Sequence, residues 1–309
     1  MLETQLCGIS LKSPLILASG ILGVSYSTME RAFKAGLGAV TTKSIGKRVR
    51  IGYNNPSIIE VFPETFINSV GLGNPGINNF THEIEILRDL QIPTIVSIFG
   101  KTNQEYIEVA QKAENSGANA IEINISCPHA KVSSIGASEK LTFDLVSELN
   151  REISIPLFVK LNPNVTDIVK IGKAAEEGGA DALVAINTIA AMVIDVNTRR
   201  PILSHGSGGL SGKAIHPIAI KKVYDLYKNV KIPIIGCGGI KSWKDAVEFF
   251  LAGARSVQIG TAFYQGFDFV ESINKGIINY LTQNNFNSLS EIIGLTHKFN
   301  IQEVPKYDE

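Results

Sequence analysis

The sequence has few cysteines, and their placement argues against two kinds of centre. Only Cys7, Cys127 and Cys237 occur in 309 residues. An odd number at wide spacing argues against a disulfide framework and indicates a reducing compartment, so we expect a cytoplasmic protein. No two cysteines have the C-x-x-C spacing of a zinc site, and no metal site is predicted. Cys7 and Cys237 are interpreted as inert, small hydrophobic residues.

The sequence also lacks net charge and long apolar runs. Its 29 basic and 29 acidic side chains cancel, and a neutral chain has no bulk field that gathers nucleic acid or anionic lipid. The longest nearly apolar run, residues 182–194, is interrupted by Asn187 and Thr188, whereas a membrane-spanning helix needs about 20 apolar residues. We therefore expect neither a nucleic-acid partner nor a membrane anchor. With 44% hydrophobic and 19% charged residues, the composition is typical of a globular protein.

What the sequence does contain is a repeated alternation of short apolar runs and amphipathic stretches. The apolar runs show no polar alternation, which is typical of strands buried on both faces of a parallel sheet. They cover residues 14–19, 39–44, 94–99, 120–126, 156–161, 182–187, 233–236 and 256–260. The stretches between them predict helices over residues 29–35, 80–90, 105–116, 143–153, 168–177, 217–228 and 243–252.

Eight strand–helix units in this length predict a closed (β/α)8 TIM barrel, forming a single domain over residues 1–309. Residues 2–11 predict an N-terminal β-hairpin, with its turn at Cys7-Gly8, that closes the bottom of the barrel. A doubly wound open sheet is the alternative, since it also alternates strands and helices. No G-x-G-x-x-G sequence follows an early strand, and eight units favour the barrel.

Small residues follow the last two predicted strands. Gly238-Gly239 and Gly260-Thr261 stand where barrel enzymes bind phosphate, after strands seven and eight. Glycine lets backbone N–H groups approach an anion closely, so these loops predict a phosphate cup. The alternative is tight packing at the strand ends.

Other polar residues end strands in apolar surroundings and predict a site at the mouth of the barrel. Lys43 and Lys160 offer positive charge there, although either could instead extend its charged end to solvent. Cys127 lies between Ser126 and Pro128, where a thiol can act as a general base if its pKa of about 8.5 is lowered. The glycine- and amide-rich residues 68–76 predict a polar pocket wall around Asn68, with a plain turn as the alternative.

The motifs together resemble one family. They run in the same order, from about residue 3 to about residue 280, as in the class 1 dihydroorotate dehydrogenases, and are similar to the type 1B catalytic subunit. The motifs are SPLILASG, TTKS, NSVGLGNPG, NISCP, VKLNPNVTDI, AINT, PILSHGSGGLSG, IPIIGCGGI and SVQIGTA.

The resemblance implies an FMN-binding barrel that oxidises dihydroorotate to orotate in de novo pyrimidine biosynthesis. Cys127 would then remove the C5 proton, and the C6 hydride would pass to N5 of FMN. It also implies a homodimer within a heterotetramer, whose electron-transfer subunit holds FAD and a [2Fe–2S] cluster and reduces NAD+. The chain itself lacks the four-cysteine pattern of a ferredoxin-type cluster.

The resemblance also assigns residues to the site. Cys127 and Lys43 would be catalytic. The FMN-binding positions would be Ser19, Lys43, Ser44, Asn124, Lys160, Ile186, Gly212, Gly238, Gly239, Gly260 and Thr261. The substrate-binding positions would be Lys43, Asn68, Ser69, Val70, Gly71, Leu72, Asn124, Asn187 and Thr188.

Two positions depart from the family pattern. His129 stands where most class 1 enzymes have asparagine after S-C-P, and Ser97 replaces an asparagine on the third strand. S-C-P-H is also typical of dihydropyrimidine dehydrogenase barrels, so reduction of uracil or thymine on the same FMN barrel is the alternative function. A barrel without redox chemistry, such as an aldolase with a Schiff-base lysine, is a further alternative.

Overall fold

The computed structural model describes residues 1–125 and 135–299. Cys127 and His129 lie outside the described residues, so the predictions made for them stay predictions. In chain order the strands are β1 (Thr4–Leu6), β2 (Ile9–Leu11), β3 (Leu15–Leu17), β4 (Ala39–Thr41), β5 (Ile58–Phe62), β6 (Thr65–Asn68), β7 (Thr94–Ile98), β8 (Ala120–Asn124), β9 (Leu157–Lys160), β10 (Ala182–Ala185), β11 (Ile189–Ala191), β12 (Ile194–Asp195), β13 (Arg200–Pro201), β14 (Gly208–Gly212), β15 (Ile234–Cys237) and β16 (Ala254–Ile259). The α-helices are α1 (Tyr26–Lys34), α2 (Thr81–Asp89), α3 (Asn103–Asn115), α4 (Glu139–Glu152), α5 (Ile168–Glu177), α6 (His216–Tyr227), α7 (Trp243–Ala252) and α8 (Phe269–Gln283).

Eight parallel strands close into a barrel in the order β3, β4, β7, β8, β9, β10, β15, β16, and β16 pairs back to β3. A helix follows each barrel strand before the next one begins. The predicted TIM barrel is confirmed, and the open-sheet alternative is wrong because closure leaves no edge strand. The structure adds α8, a helix that the sequence analysis did not name. The strands close this way because their apolar residues are buried on both faces.

The predicted N-terminal hairpin is also confirmed. β1 and β2 pair antiparallel around Cys7 and Gly8, whose φ angles are 49° and 83°, the positive values that a tight two-residue hairpin turn requires. Leu6 and Leu11 are buried in one cluster with Ala120 and other residues from the beginnings of barrel strands. The hairpin therefore covers the N-terminal end of the barrel, and the opposite end is left for the site.

A four-stranded antiparallel sheet, in the order β11, β14, β6, β5, was not predicted from the sequence. Its central strands pair Asn68 with Gly209 and Thr65 with Gly212. β5 and β6 follow β4, while β11 and β14 follow β10, so both halves are inserted after the carboxyl ends of barrel strands. The sheet consequently stands at the mouth of the barrel and provides one wall of the cavity found there.

The helix ends follow local chemistry. Ser242 begins α7 with a capping box, in which its hydroxyl accepts from the Asp245 N–H and the Asp245 carboxylate accepts from the Ser242 N–H. Gly253 ends the same helix with a φ of 120°, a conformation that glycine adopts at little cost. Within residues 1–125 and 135–299, no helix combines the length and apolar character needed to cross a bilayer.

Candidate active site

A cavity of about 380 Å³ lies at the carboxyl ends of the barrel strands, the face at which barrel enzymes carry their sites. Every site residue predicted from the sequence, apart from Cys127, lines this one cavity. These residues are Ser19, Lys43, Ser44, Asn68, Ser69, Val70, Gly71, Leu72, Asn124, Lys160, Ile186, Asn187, Thr188, Gly212, Gly238, Gly239, Gly260 and Thr261. Their roles remain predictions.

The glycine loops after β14, β15 and β16 meet at one side of the cavity. Gly239 has a φ of +66°, and a Cβ on it would lie 2.7 Å from the Gly212 carbonyl oxygen and 2.9 Å from His216 Cβ. Real Cβ atoms do not approach so closely, so only glycine lets these loops touch. His216 Nδ1 lies 3.0 Å from the Gly238 carbonyl oxygen and anchors that peptide. The result is a glycine-lined cradle in the cavity wall, which suits an anion such as phosphate.

Ser44 connects three elements beneath the mouth of the cavity. Its Oγ lies 3.4 Å from Ser19 Oγ and 3.0 Å from Ser97 Oγ, and Asn124 Nδ2 donates to it over 3.1 Å. Ser97 on β7, which stands where the family pattern has asparagine, is fully buried, and its hydroxyl hydrogen-bonds to that of Ser44. The short side chain at this position is thus part of a hydrogen-bonded cluster that orients the Asn124 amide.

A row of amides continues from Asn124. Asn187 Nδ2 donates to Asn124 Oδ1 over 3.3 Å, and the Thr188 N–H donates to Asn187 Oδ1 over 2.8 Å. In the antiparallel sheet at the mouth, Asn68 Nδ2 donates to the Gly209 carbonyl over 3.2 Å. These amides are held by their neighbours in the fold, so they form a preorganised donor and acceptor set of the kind that recognises a planar heterocycle.

Two lysines bring positive charge into the cavity, and their surroundings differ. Burial lowers the pKa of the Lys43 ammonium from its ordinary value. Lys160 is only 4% exposed, and its Nζ donates to Gln258 Oε1 over 2.8 Å. Burial by itself lowers the pKa of Lys160, but the negative charges of Cys237 and Glu122 outweigh it, so the net pKa is raised. Lys160 therefore stays an ammonium at neutral pH.

The sequence analysis did not assign three residues at the floor of the cavity to the site. Gln258 Nε2 donates to Glu122 Oε2 over 2.6 Å, so a buried carboxylate is linked to the Lys160 ammonium. Cys237 was interpreted as inert packing, but it lines the cavity with its Sγ 4.0 Å from Lys160 Nζ. A signal was present in the sequence, because Glu122 and Asn124 are two residues apart on β8 and so face the same side of the strand.

An aromatic pair was also missed. The rings of Tyr53 and His205 stack with centroids 3.8 Å apart and planes 9° apart, and both residues line the cavity. They come from the segments before β5 and before β14. The second segment belongs to the motif PILSHGSGGLSG, but His205 was not assigned to the site. The cavity thus combines an anion cradle, two ammonium groups, an amide row and a flat aromatic wall.

Comparison with known proteins finds similarity to the family that the sequence motifs resemble. The family model described as dihydroorotate dehydrogenase matches residues 1–281. The chain is 47% identical to the dihydroorotate dehydrogenase B (NAD(+)) catalytic subunit of Methanocaldococcus jannaschii over 305 residues, covering 96% of this chain and 99% of that protein. It is 50% identical over 301 residues to the subunit of the same name from Pyrococcus horikoshii, covering 96% and 98% of the two chains. For the Methanocella arvoryzae subunit the identity is 49% over 293 residues, covering 94% and 96%.

A solved structure shares the architecture. The dihydroorotate dehydrogenase of Eimeria tenella, in complex with ferulenol, matches with a TM-score of 0.84 at 23% identity, covering 96% of this chain and 89% of that one. At this level of identity the likeness shows the fold alone, which is the closed barrel described above.

Proposed function

The chain belongs to the dihydroorotate dehydrogenase family, and from this premise we propose that it oxidises dihydroorotate to orotate in pyrimidine biosynthesis with FMN as its cofactor. The observation that carries the proposal is the convergence of the predicted site residues on one cavity at the carboxyl ends of the barrel strands. Relatives at 44–50% identity carry the same enzyme name over nearly their whole length. The proposal treats the chain as one FMN-binding barrel domain.

The residues present fit FMN. Gly212, Gly238, Gly239 and Gly260 line one part of the cavity, and the close contact that Gly239 permits with Gly212 forms a cradle whose backbone N–H groups would bind a phosphate. Lys160 supplies a fixed positive charge to the cavity floor. When bound, FMN supplies a two-electron acceptor for the hydride that leaves C6 of dihydroorotate. A positive charge nearby stabilises the negative charge that arrives with the hydride.

The chain's own side chains would bind the substrate and move its proton. Lys43 and the wall around Asn68 suit the carboxylate that distinguishes dihydroorotate from dihydrouracil. Asn124 and Asn187 suit the ring, since amides donate to carbonyl oxygens and accept from ring N–H groups. Cys127 follows Asn124 by three residues in the sequence, and its thiolate would accept the proton from C5, as a general base does.

The electrons then have to leave the barrel. The relatives are named as catalytic subunits of NAD(+)-linked enzymes, and we extend this to a partner subunit that holds FAD and a [2Fe–2S] cluster and reduces NAD+. In this proposal two copies of the chain form a homodimer within a heterotetramer. Copurification of an iron–sulfur flavoprotein, together with NADH formation that requires it, tests this part separately from the barrel's own reaction.

A direct test mixes the purified, FMN-loaded protein with dihydroorotate without oxygen and follows the flavin absorbance near roughly 450 nm. Bleaching by dihydroorotate supports the proposal. Bleaching by dihydrouracil but not by dihydroorotate would favour the uracil- and thymine-reducing alternative, and a protein that retains no flavin would favour a barrel without redox chemistry. Neither alternative draws support from the relatives described above.

A further inference from the structure

A chain of three polar side chains crosses the barrel interior at the floor of the cavity. Lys160 on β9 donates to Gln258 on β16 over 2.8 Å, and Gln258 donates to Glu122 on β8 over 2.6 Å. Their exposed fractions are 4%, 1% and 0%, respectively. A polar chain of this kind in a core otherwise built of aliphatic residues costs free energy unless its members satisfy one another.

The direction of the middle amide is decided by its neighbours. An ammonium can only donate, so the oxygen of Gln258 must face Lys160. The amide nitrogen then faces Glu122 Oε2, which accepts, and it also lies 3.3 Å from Thr41 Oγ1. The negative oxygen end of the amide thus faces the ammonium, and its positive NH2 end faces the carboxylate.

Glu122 depends on this connection. Its Oε1 is buried and has no hydrogen-bond partner within the described residues. The strands β3, β7 and β10 carry no titratable side chain, and Arg255 on β16 is exposed. Among the described residues of the barrel strands, the ionisable groups beside Lys160 are therefore Glu122 and Cys237. The same cavity is also lined by Lys43, Tyr53, His205 and Tyr264. A buried carboxylate is costly unless a cation compensates it, and Gln258 connects Glu122 to the Lys160 ammonium.

We propose that Glu122 and Gln258 are positioning residues, which hold Lys160 as an ammonium on the cavity floor and so set the positive charge that the bound flavin meets. Only the effect on a bound flavin rests on the proposed function, because the charge of Lys160 is a property of the flavin-free chain as well. Neither Glu122 nor Gln258 has to touch substrate for this role.

The charges agree with the geometry. Burial lowers the pKa of Lys160, and the charges of Cys237 and Glu122 raise it to a net value above that of ordinary lysine. Burial also raises the pKa of the Cys237 thiol, which opposes a charge on that sulfur. Within the described residues, the carboxylate of Glu122 is the negative charge that hydrogen bonds connect to Lys160 through Gln258.

The first experiment measures Lys160 without flavin. Cyanate carbamylates neutral amines, so its reaction with each lysine, quantified by peptide mass spectrometry, reports the neutral fraction. In Glu122→Gln protein we expect carbamylation of Lys160 at mildly alkaline pH to rise by about tenfold or more, since each unit of lowered pKa raises the neutral fraction about tenfold. Lys43 in the same cavity serves as the internal reference. Thr41→Val, which removes an uncharged partner of Gln258, is the matched control and should leave Lys160 labelling unchanged.

Two outcomes would overturn the proposal. One is equal labelling of Lys160 in the native and Glu122→Gln proteins, and the other is an equal rise in Thr41→Val. If Glu122→Gln does not fold, Gln258→Met breaks the same connection with a side chain of similar size, and it should raise labelling likewise.

The second experiment measures the FMN midpoint potential against pH. In Glu122→Gln we expect it to lie above the native value at low pH, where Lys160 is charged without its counter-charge, and below it at high pH, where Lys160 is neutral. Parallel profiles would refute the link between Glu122 and the flavin. If the native protein binds no FMN, the proposed function fails, while the labelling result still decides the state of Lys160.

Discussion

Gly239→Ala tests the anion cradle at a point where two of its loops touch. Gly239 has a φ of +66°, and an added Cβ would lie 2.7 Å from the Gly212 carbonyl oxygen and 2.9 Å from His216 Cβ. An alanine at this position must therefore adopt a left-handed backbone and also push one glycine loop away from the other. Both effects move the backbone N–H groups that we expect to bind the phosphate of FMN.

The magnitude follows from these two effects. A left-handed backbone costs alanine about 1–2 kcal/mol, and forcing an extra methyl into a close-packed contact costs about 1–3 kcal/mol more. We therefore expect the free energy of unfolding of the flavin-free protein to fall by about 2–5 kcal/mol. A hydrogen bond to a charged group contributes about 1.5–3 kcal/mol, so loss of one raises the Kd for FMN about 10- to 100-fold.

The assay combines denaturant unfolding with flavin titration, and Gly8→Ala is the matched control. Gly8 has a φ of +83°, but a Cβ added there would meet no other atom within 4 Å, and the residue belongs to the hairpin at the other end of the barrel. That variant should lose about 1–2 kcal/mol and keep its FMN affinity. Riboflavin, which lacks the phosphate, should bind equally well to native and Gly239→Ala protein. Equal destabilisation by both substitutions, with an unchanged preference for FMN over riboflavin, would refute the cradle.

Three further predictions concern side chains in and beside the cavity. Cys127→Ala should keep its FMN content and slow flavin reduction by dihydroorotate about 10²- to 10⁴-fold, the usual effect of losing a general base; a native rate in stopped-flow measurements would remove Cys127 from the mechanism. Asn68→Ala should raise the KM for dihydroorotate about tenfold, equivalent to one hydrogen bond, without changing FMN content, and an unchanged KM would exclude Asn68 from substrate binding. Lys43→Met should abolish dihydroorotate oxidation yet stabilise the flavin-free protein by roughly 0.5–2 kcal/mol at neutral pH. Burial lowers the pKa of Lys43 in the folded protein, so the unfolded chain binds the lysine proton more tightly and the native lysine destabilises the fold. This gain in stability should shrink as the pH rises through the lowered pKa of folded Lys43 towards the pKa of lysine in the unfolded chain. A gain that does not change with pH in thermal melts would contradict the lowered pKa of Lys43.

Much of the barrel was predictable because its signals are local. The run at residues 120–126 predicted a strand, and β8 is found at Ala120–Asn124. Residues 243–252 predicted a helix, and α7 occupies Trp243–Ala252 with the capping box at Ser242. Burial on both faces, helical period and capping chemistry act over a few residues, so they can be recognised without knowledge of the partners.

The antiparallel sheet at the mouth could not be predicted in the same way. β14 has the sequence GGLSG, which is poor in the β-branched and aromatic residues that favour strands. It forms a strand because β6 and β11 pair with it from both sides. Asn68 lines the cavity, but its pairing partner Gly209 is 141 residues away and is brought to it only by the fold.

The amino-acid sequence alone determined that the chain forms a barrel and which polar residues end its strands, because strand, helix and turn preferences are decided by neighbours along the chain. The tertiary structure alone decided how those residues meet. Glu122 and Gln258 are 136 residues apart, and a buried carboxylate in one strand says nothing about which cation compensates it. Barrel closure decides which cation compensates the carboxylate. Closure excludes water, so each buried charge can interact only with the side chains that the strand register brings close to it.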